Sequence, residues 1–226
     1  MNRHNETCEF CSELTQSASS TFEKAFREAL PSRVVLRRHN FVAMPSFGQL
    51  VEGSLMFLPT THVERFADMA EPDLIVAQTL IQHLRSRAWG PLLLFEHGAK
   101  AVTGGSCGIY HAHIHLIPVP TEHPELVSSL TCGLERSNLI SLEEEWAGLE
   151  RSDEYVLVDD GHSRWRVKIT NTNRHLFPSQ YFRRRLAVSL QSDRWDWRDY
   201  PQPEPAVTAA YHSWTTKLQT AQTSSL

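Results

Sequence analysis

Residues Cys107 to Pro120 read CGIYHAHIHLIPVP, and within them His111, His113 and His115 alternate with Ala112, Ile114 and Leu116 before the run stops at Pro118. Alternation at period two marks a strand, because successive side chains of an extended chain point to opposite faces. The three imidazoles therefore share one face, while Ala112, Ile114 and Leu116 turn into a core. Imidazole ligates metals, and it also attacks and exchanges protons near neutral pH. Three of them on one rigid strand suit a metal site or nucleophilic catalysis; the plain alternative is a polar face in a chain that has twelve histidines.

Working outward, the loop Glu96 to Gly108 precedes the histidine strand and carries Gly98, Gly104, Gly105 and Gly108. Glycine lets backbone approach a ligand and lets amides point at phosphate oxygens. Before the loop, Pro91 to Phe95 reads as a buried strand. Before that, Leu74, Ile75, Ala77, Leu80, Ile81 and Leu84 recur at helical spacing over Pro72 to Trp89, and Gly90-Pro91 ends the run. A lone His83 in that helix suits surface or satisfied packing better than ligation. Val34 to Leu36, Phe41 to Met44 and Ser54 to Leu58 form an antiparallel meander punctuated by Gly48 and Gly53. Ser20 to Leu30 places Phe22, Phe26 and Leu30 four apart on an amphipathic helix that stops before Pro31.

Beyond Pro120 the texture becomes polar. Glu143, Glu144 and Glu145 read as a solvated helix face. Tyr155 to Val158 and Trp165 to Ile169 flank Asp159-Asp160-Gly161 as a hairpin, and Pro178-Ser179-Gln180 opens a helix carrying Arg183, Arg184 and Arg185. A helix start with arginine nearby suits an anion, as an exposed basic face also would. Trp146, Trp165, Trp195, Trp197 and Trp214 could stack on a base but are expected rather to pack this second half, and the polar QTAQTSSL run that ends the tail after Pro205 is expected to fray. The organisation read from the chain is a catalytic unit over residues 1–120, an extension over 121–205 and a tail over 206–226.

The 226 residues are 41% hydrophobic and 21% charged, the balance of a globular chain, and no apolar run approaches the roughly 20 residues that span a bilayer. The polar N-terminus lacks the apolar core of a secretory signal, so a cytoplasmic location is expected. The net charge of −4 argues against a protein that grips a nucleic-acid polymer through spread positive charge, while a small anionic ligand is compatible with it. Of four cysteines, two stand as Cys8-Glu-Phe-Cys11, which in a reducing setting favours metal or redox chemistry over a disulfide.

VEGSLMFLPTTH at residues 51–62, followed about fifty residues later by HAHIHLIP, resembles the histidine triad superfamily of nucleotide hydrolases and transferases. The resemblance spans roughly Cys8 to Pro120. It implies an α+β fold, an antiparallel sheet with flanking helices, to which the C-terminal α/β extension is added. It also implies a homodimer whose sheets join, and a substrate that is a phosphate ester, anhydride or phosphoramidate of a nucleotide. Carried over residue by residue, His113 is the nucleophile that takes up the nucleotidyl group, His115 contacts the phosphate, and the strand around His111 helps hold the nucleophile's tautomer. Members with an N-terminal Cys-x-x-Cys resemble this chain further, and imply a structural zinc held by Cys8, Cys11, His62 and His111. Two thiolates and two imidazoles make a closed tetrahedral site.

The chain departs from the superfamily at several positions. Ser54 stands where a histidine is usual, Ser106 and Cys107 stand in a run that usually carries glutamine, and asparagine is usual where Glu96-His97-Gly98 falls. His97 is a candidate to compensate. The candidate substrate contacts are Ser54, His97, Ser106 and Cys107, with Ser179, Gln180 and Arg183 from the extension. Alternatives are a phosphorylase or nucleotidyltransferase with another acceptor, a nucleotide-binding module without turnover, and a catalytic three-histidine zinc site. The last would contain no sulfur ligand.

Overall fold

The computed structural model describes residues 8–101, 109–138 and 141–220. Its centre is one antiparallel sheet. Three short strands open it, β1 (Leu36–Arg38), β2 (Phe41–Pro45) and β3 (Leu55–Pro59), paired in sequence as a meander. The long helix α3 (Glu71–Arg87) follows the two short N-terminal helices α1 (Glu9–Leu14) and α2 (Thr21–Phe26). It begins with Pro72 and two acids in its first turn and ends with Arg85 and Arg87, a distribution that suits the helix dipole. Next come β4 (Leu92–Gly98) and the histidine strand β5 (Ile114–Pro118). The strand proper starts three residues later than the histidine run, so His111 and His113 lie on the approach to it.

The second half holds α4 (Glu125–Thr131), β6 (Glu135–Arg136), α5 (Leu142–Ala147), β7 (Glu154–Asp159), β8 (Arg164–Ile169), α6 (Tyr181–Ser189) and α7 (Pro205–Gln219). The eight strands run in the order β1-β2-β3-β5-β4-β7-β8-β6. The extension thus continues the sheet of the first half, since β7 pairs with β4 along Leu94↔Asp159 to Gly98↔Tyr155. With β5 on its other side, β4 has both edges in use, and the sheet ends at β1 and β6.

Strand alternation assigns the faces. Leu92 and Leu94 of β4, Ile114 and Leu116 of β5, and Leu157 of β7 join Leu74, Ala77, Ile81 and Leu84 of α3 in one core. Leu93 and Phe95, Ile117, Val156 and Val158 face the opposite side, against Leu126 and Leu130 of α4 and Phe182 and Leu186 of α6. Burying each such side chain contributes about 1.5–3 kcal/mol, and residues of both halves share both cores.

Two expectations are corrected. In the stretch read as a tail, α7 runs as far as Gln219, because Val207, Ala210 and Trp214 recur on one helical face and are buried, with the Trp214 indole donating to the Gly53 carbonyl at 2.8 Å; of the QTAQTSSL run expected to fray, all beyond Thr220 lies outside the described residues. The acidic cluster is not wholly solvated: Ser141 and Glu144 form a capping box, whereas Glu145 is buried and pairs with Arg166 at 3.2 Å. The N-terminal amphipathic helix ends at Phe26, although Phe22, Phe26 and Leu30 are all buried as their spacing predicts.

Candidate functional site

The histidine row divides into two places. At one end, the Cys8 thiol, at the N-cap of α1, lies 3.4 Å from His111 Nδ1, and the Cys11 thiol lies 3.4 Å from His62 Nδ1 and 3.5 Å from His111 Nδ1. All four donor atoms fall within 4.8 Å of one another. The donor set fits zinc: Zn–S near 2.3 Å and Zn–N near 2.0–2.1 Å at tetrahedral angles give S···N edges of about 3.5 Å. The second ring nitrogen agrees. His111 Nε2 is 2.9 Å from the Pro59 carbonyl, which can only accept, so Nε2 carries the proton and Nδ1 offers its lone pair to the cluster. Burial and the neighbouring Cys8 push the Cys11 thiol up to about 12, and burial pulls His111 down to about 4. A divalent cation among them offsets the first cost, since a coordinating thiol is deprotonated outright.

At the other place, His113 and His115 line a cleft of about 870 Å³, counting its open mouth. His113 Nδ1 lies 2.7 Å from the His111 carbonyl, which fixes the tautomer by the same logic: Nδ1 holds the proton and Nε2 holds a lone pair. Burial pulls both His113 and His115 below the ordinary 6.5. The Phe10 ring packs edge-on against His113 at 5.2 Å and against His111 at 5.7 Å, tying the cysteine helix to both places. His115 stacks on Phe95 at 4.7 Å, and Phe95 packs on Phe182 of α6 at 4.7 Å. The cleft is therefore floored by the sheet and walled in part by the extension.

Several of the sequence-derived substrate candidates come together here. His97 lies on the same face of β4 as Phe95, lines the cleft, and is pulled by burial to about 4, so it is neutral near pH 7. Gln180 and Arg183 also line it, with Gln180 in the left-handed region at φ 57° as the N-cap of α6. Arg183 donates to the Trp195 carbonyl at 2.9 Å and the Gly48 carbonyl at 2.7 Å. Two candidates fall elsewhere. Ser54 does not line the cleft, because its hydroxyl closes the β2–β3 turn onto the Val51 carbonyl. Ser179 is not part of the lining either, and its carbonyl accepts from Arg184. Ser106 and Cys107 lie outside the described residues.

Sequence reasoning missed Phe47 and Arg33 and assigned Trp197 to packing, and all three line the cleft. Phe47 and Trp197 pack at 6.3 Å with ring planes 27° apart, and Arg33 lies 3.9 Å over the Phe47 ring while both Glu13 oxygens hold it at 2.6 Å. These residues come from loops and from distant parts of the chain, so no local spacing marks them.

Comparison with solved structures gives partial matches at low identity. A hypothetical histidine triad nucleotide-binding protein from Sulfolobus tokodaii matches at 22% identity over 49% of this chain and 68% of its own, with a TM-score of 0.35. A zinc-bound histidine triad family protein from Mycobacterium smegmatis matches at 15% identity over 53% and 80%, with a TM-score of 0.37. The chain is similar to histidine triad proteins. The yeast Ap4A phosphorylase, solved in complex with AMP, matches at 11% identity over 70% of this chain and 71% of its own, with a TM-score of 0.38. No family model and no curated protein matches the sequence. Among the described residues, no helix is long and apolar enough to cross a membrane.

Proposed function

We propose that this chain is a nucleotide-processing enzyme, a hydrolase or transferase that cleaves at the α-phosphate through a nucleotidyl-His113 intermediate. The observation that carries the reading is the hydrogen bond from His113 Nδ1 to the His111 carbonyl, which leaves the Nε2 lone pair in the cleft. A ring held in one tautomer by backbone needs no deprotonation before attack, and its burial below the ordinary 6.5 keeps it neutral.

In this mechanism Nε2 attacks the α-phosphorus and the bond to the leaving atom breaks, its electron pair departing with the leaving group. The Nδ1 proton stays on the ring, whose positive charge is then balanced by the bound phosphate and by the His111 carbonyl. His115, one place along the row at 5.4 Å between ring centroids, contacts a non-bridging oxygen, and neutral His97 offers a hydrogen bond without added charge. Water or another acceptor then attacks the same phosphorus, releasing its proton to solvent, and the P–Nε2 bond breaks with its electron pair returning to Nε2. Two displacements replace one, each with a positioned nucleophile.

Cys8, Cys11, His62 and His111 would hold zinc. Bound there, it would be a structural cross-link with no open position, joining α1 to the approach of β5. Reduced thiols are needed for this, which suits the cytoplasm.

The test is a rapid alkaline quench of the protein incubated with dinucleoside polyphosphates, nucleoside phosphoramidates and sugar nucleotides, followed by mass spectrometry of the His113 peptide. A nucleotidyl adduct that disappears in His113→Ala, with metal content retained, is expected. Binding without adduct or product would favour a non-catalytic nucleotide-binding module. An adduct that is discharged only by phosphate or another metabolite would favour the phosphorylase or transferase form.

A further inference from the structure

Three arginines are buried among the described residues: Arg33, Arg65 and Arg183. Two are neutralised by carboxylates, Arg33 by both oxygens of Glu13 and Arg65 by Asp68. Arg183, 8% exposed, is held by the Trp195 and Gly48 carbonyls and by the Tyr200 hydroxyl; Glu204 and Asp196 favour its charge from a distance, but no carboxylate lies within ion-pair distance of it among the described residues. The acids nearest in the fold are otherwise engaged. Glu204 accepts from the Gly48 and Gln49 amides at 2.7 and 2.9 Å, and Asp196 holds Arg198 at 3.1 Å. A buried guanidinium without a directly paired carboxylate is costly, and carbonyls satisfy its hydrogen bonds but not its charge.

Its position is specific. The stack Phe182–Phe95–His115 sets the start of α6 at the His115 end of the histidine row, and both Arg183 and His115 line the cleft. Gly48 is pressed onto the guanidinium: a Cβ there would stand 2.9 Å from Arg183 Nη2 and 2.7 Å from Trp197 Cα. Of the other charged side chains in the cleft, Arg33 is paired with Glu13 and Arg198 with Asp196, while the Glu9 carboxylate accepts a hydrogen bond from the Thr21 amide.

We propose that Arg183 receives an anionic group of the substrate beyond the attacked phosphorus, so that the preferred substrates are nucleotides whose leaving group is itself a phosphate. This rests on the assignment of His113 as nucleophile. When His113 Nε2 bonds to the α-phosphorus, the bond to the bridging oxygen breaks and its electron pair stays on that oxygen, now a terminal oxygen of the departing phosphate. Arg183 meets the charge that grows there, where a preorganised cation acts most strongly. A neutral amine leaving group offers it nothing.

The test compares nucleoside 5′-triphosphates with nucleoside 5′-phosphoramidates of the four common bases on the full chain, measuring kcat/KM and the His113 adduct. The wild type is expected to favour triphosphates at least tenfold. Arg183→Gln should lower that ratio at least tenfold, and Arg183→Lys should recover part of it. A wild-type ratio of one or less overturns the inference without any variant, as does an equal loss on both series in Arg183→Gln. Adducts from both series without preference sink this inference alone; absence of adduct and product with either sinks the His113 assignment and the inference with it.

Discussion

Glu96 and His97 are consecutive on β4 and face opposite sides of the sheet, and a single substitution at Glu96 tests how the buried face is charged. The Glu96 carboxyl is 1% exposed and accepts from Phe66 N at 3.1 Å, the Tyr155 hydroxyl at 2.7 Å and the Trp146 indole at 2.8 Å. Burial nonetheless outweighs these donors and raises it from the ordinary 4.5 to about 7. The folded state therefore keeps a proton that the unfolded chain releases near 4.5. This stabilisation is complete below pH 4.5 and is lost as pH rises through 7. At about 1.4 kcal/mol per pKa unit, the loss is about 3 kcal/mol. Glu96→Gln is neutral throughout, so its stability relative to wild type should rise by about 3 kcal/mol between pH 4 and pH 8, whatever constant offset comes from turning an amide toward the Trp146 donor. Urea unfolding of both proteins across that range measures the difference. A flat difference would refute the reasoning: it would mean that the three donors keep Glu96 ionised in spite of its burial.

Cys11→Ser should lower bound zinc from about one ion per chain and weaken its affinity by more than the about 10–100-fold typical of losing a supporting partner; metal analysis and X-ray absorption on the wild type should find two sulfurs in the ligand shell. Because burial depresses His113 below 6.5, the neutral, attacking form persists as pH falls, and the acid limb of the kcat/KM profile should lie below pH 6.5; a limb above 6.5 contradicts the buried ring. Gly48→Ala should cost about 1–2 kcal/mol for a side chain at φ 62° and about 1–3 kcal/mol for overpacking against Trp197; a urea midpoint within error of wild type would show that the loop does not press on that segment.

The sheet was largely legible because it is written in local patterns, and the metal cluster because the resemblance implied its four ligands. Period-two alternation marked β5, short runs bounded by turn signals marked β2, β3 and β7, and helical spacing between a proline start and a Gly-Pro stop marked α3. Cys8-x-x-Cys11 needed only two histidines at the expected positions, and His62 and His111 do meet the thiols. What stayed illegible depends on contacts across the chain. The burial of Glu145 is decided by Arg166, and that of α7 by Gly53 and the core it closes. Ser54 was read as a ligand contact because its neighbours fit a motif, but its hydroxyl had a nearer acceptor in its own turn. Arg33 and Arg183 look alike in sequence, and only the position of Glu13 tells them apart.

The sheet's two terminal strands bear on how copies of the chain can associate. β1 has three residues, Leu36, Arg37 and Arg38, and β6 has two, Glu135 and Arg136. A two-fold joining at β1 would form few ladder bonds and bring the Arg37-Arg38 pair toward its own copy, and β6 has still less backbone to offer. β4, flanked by β5 and β7, has no free edge to offer. A sheet-to-sheet dimer of the kind the resemblance implies would have to join at β1 or β6, because the chain itself supplies the strand that pairs with the second edge of β4. The cleft draws its histidines and its extension wall from one polypeptide, so specific activity should stay constant on dilution to concentrations where any pair of chains has come apart.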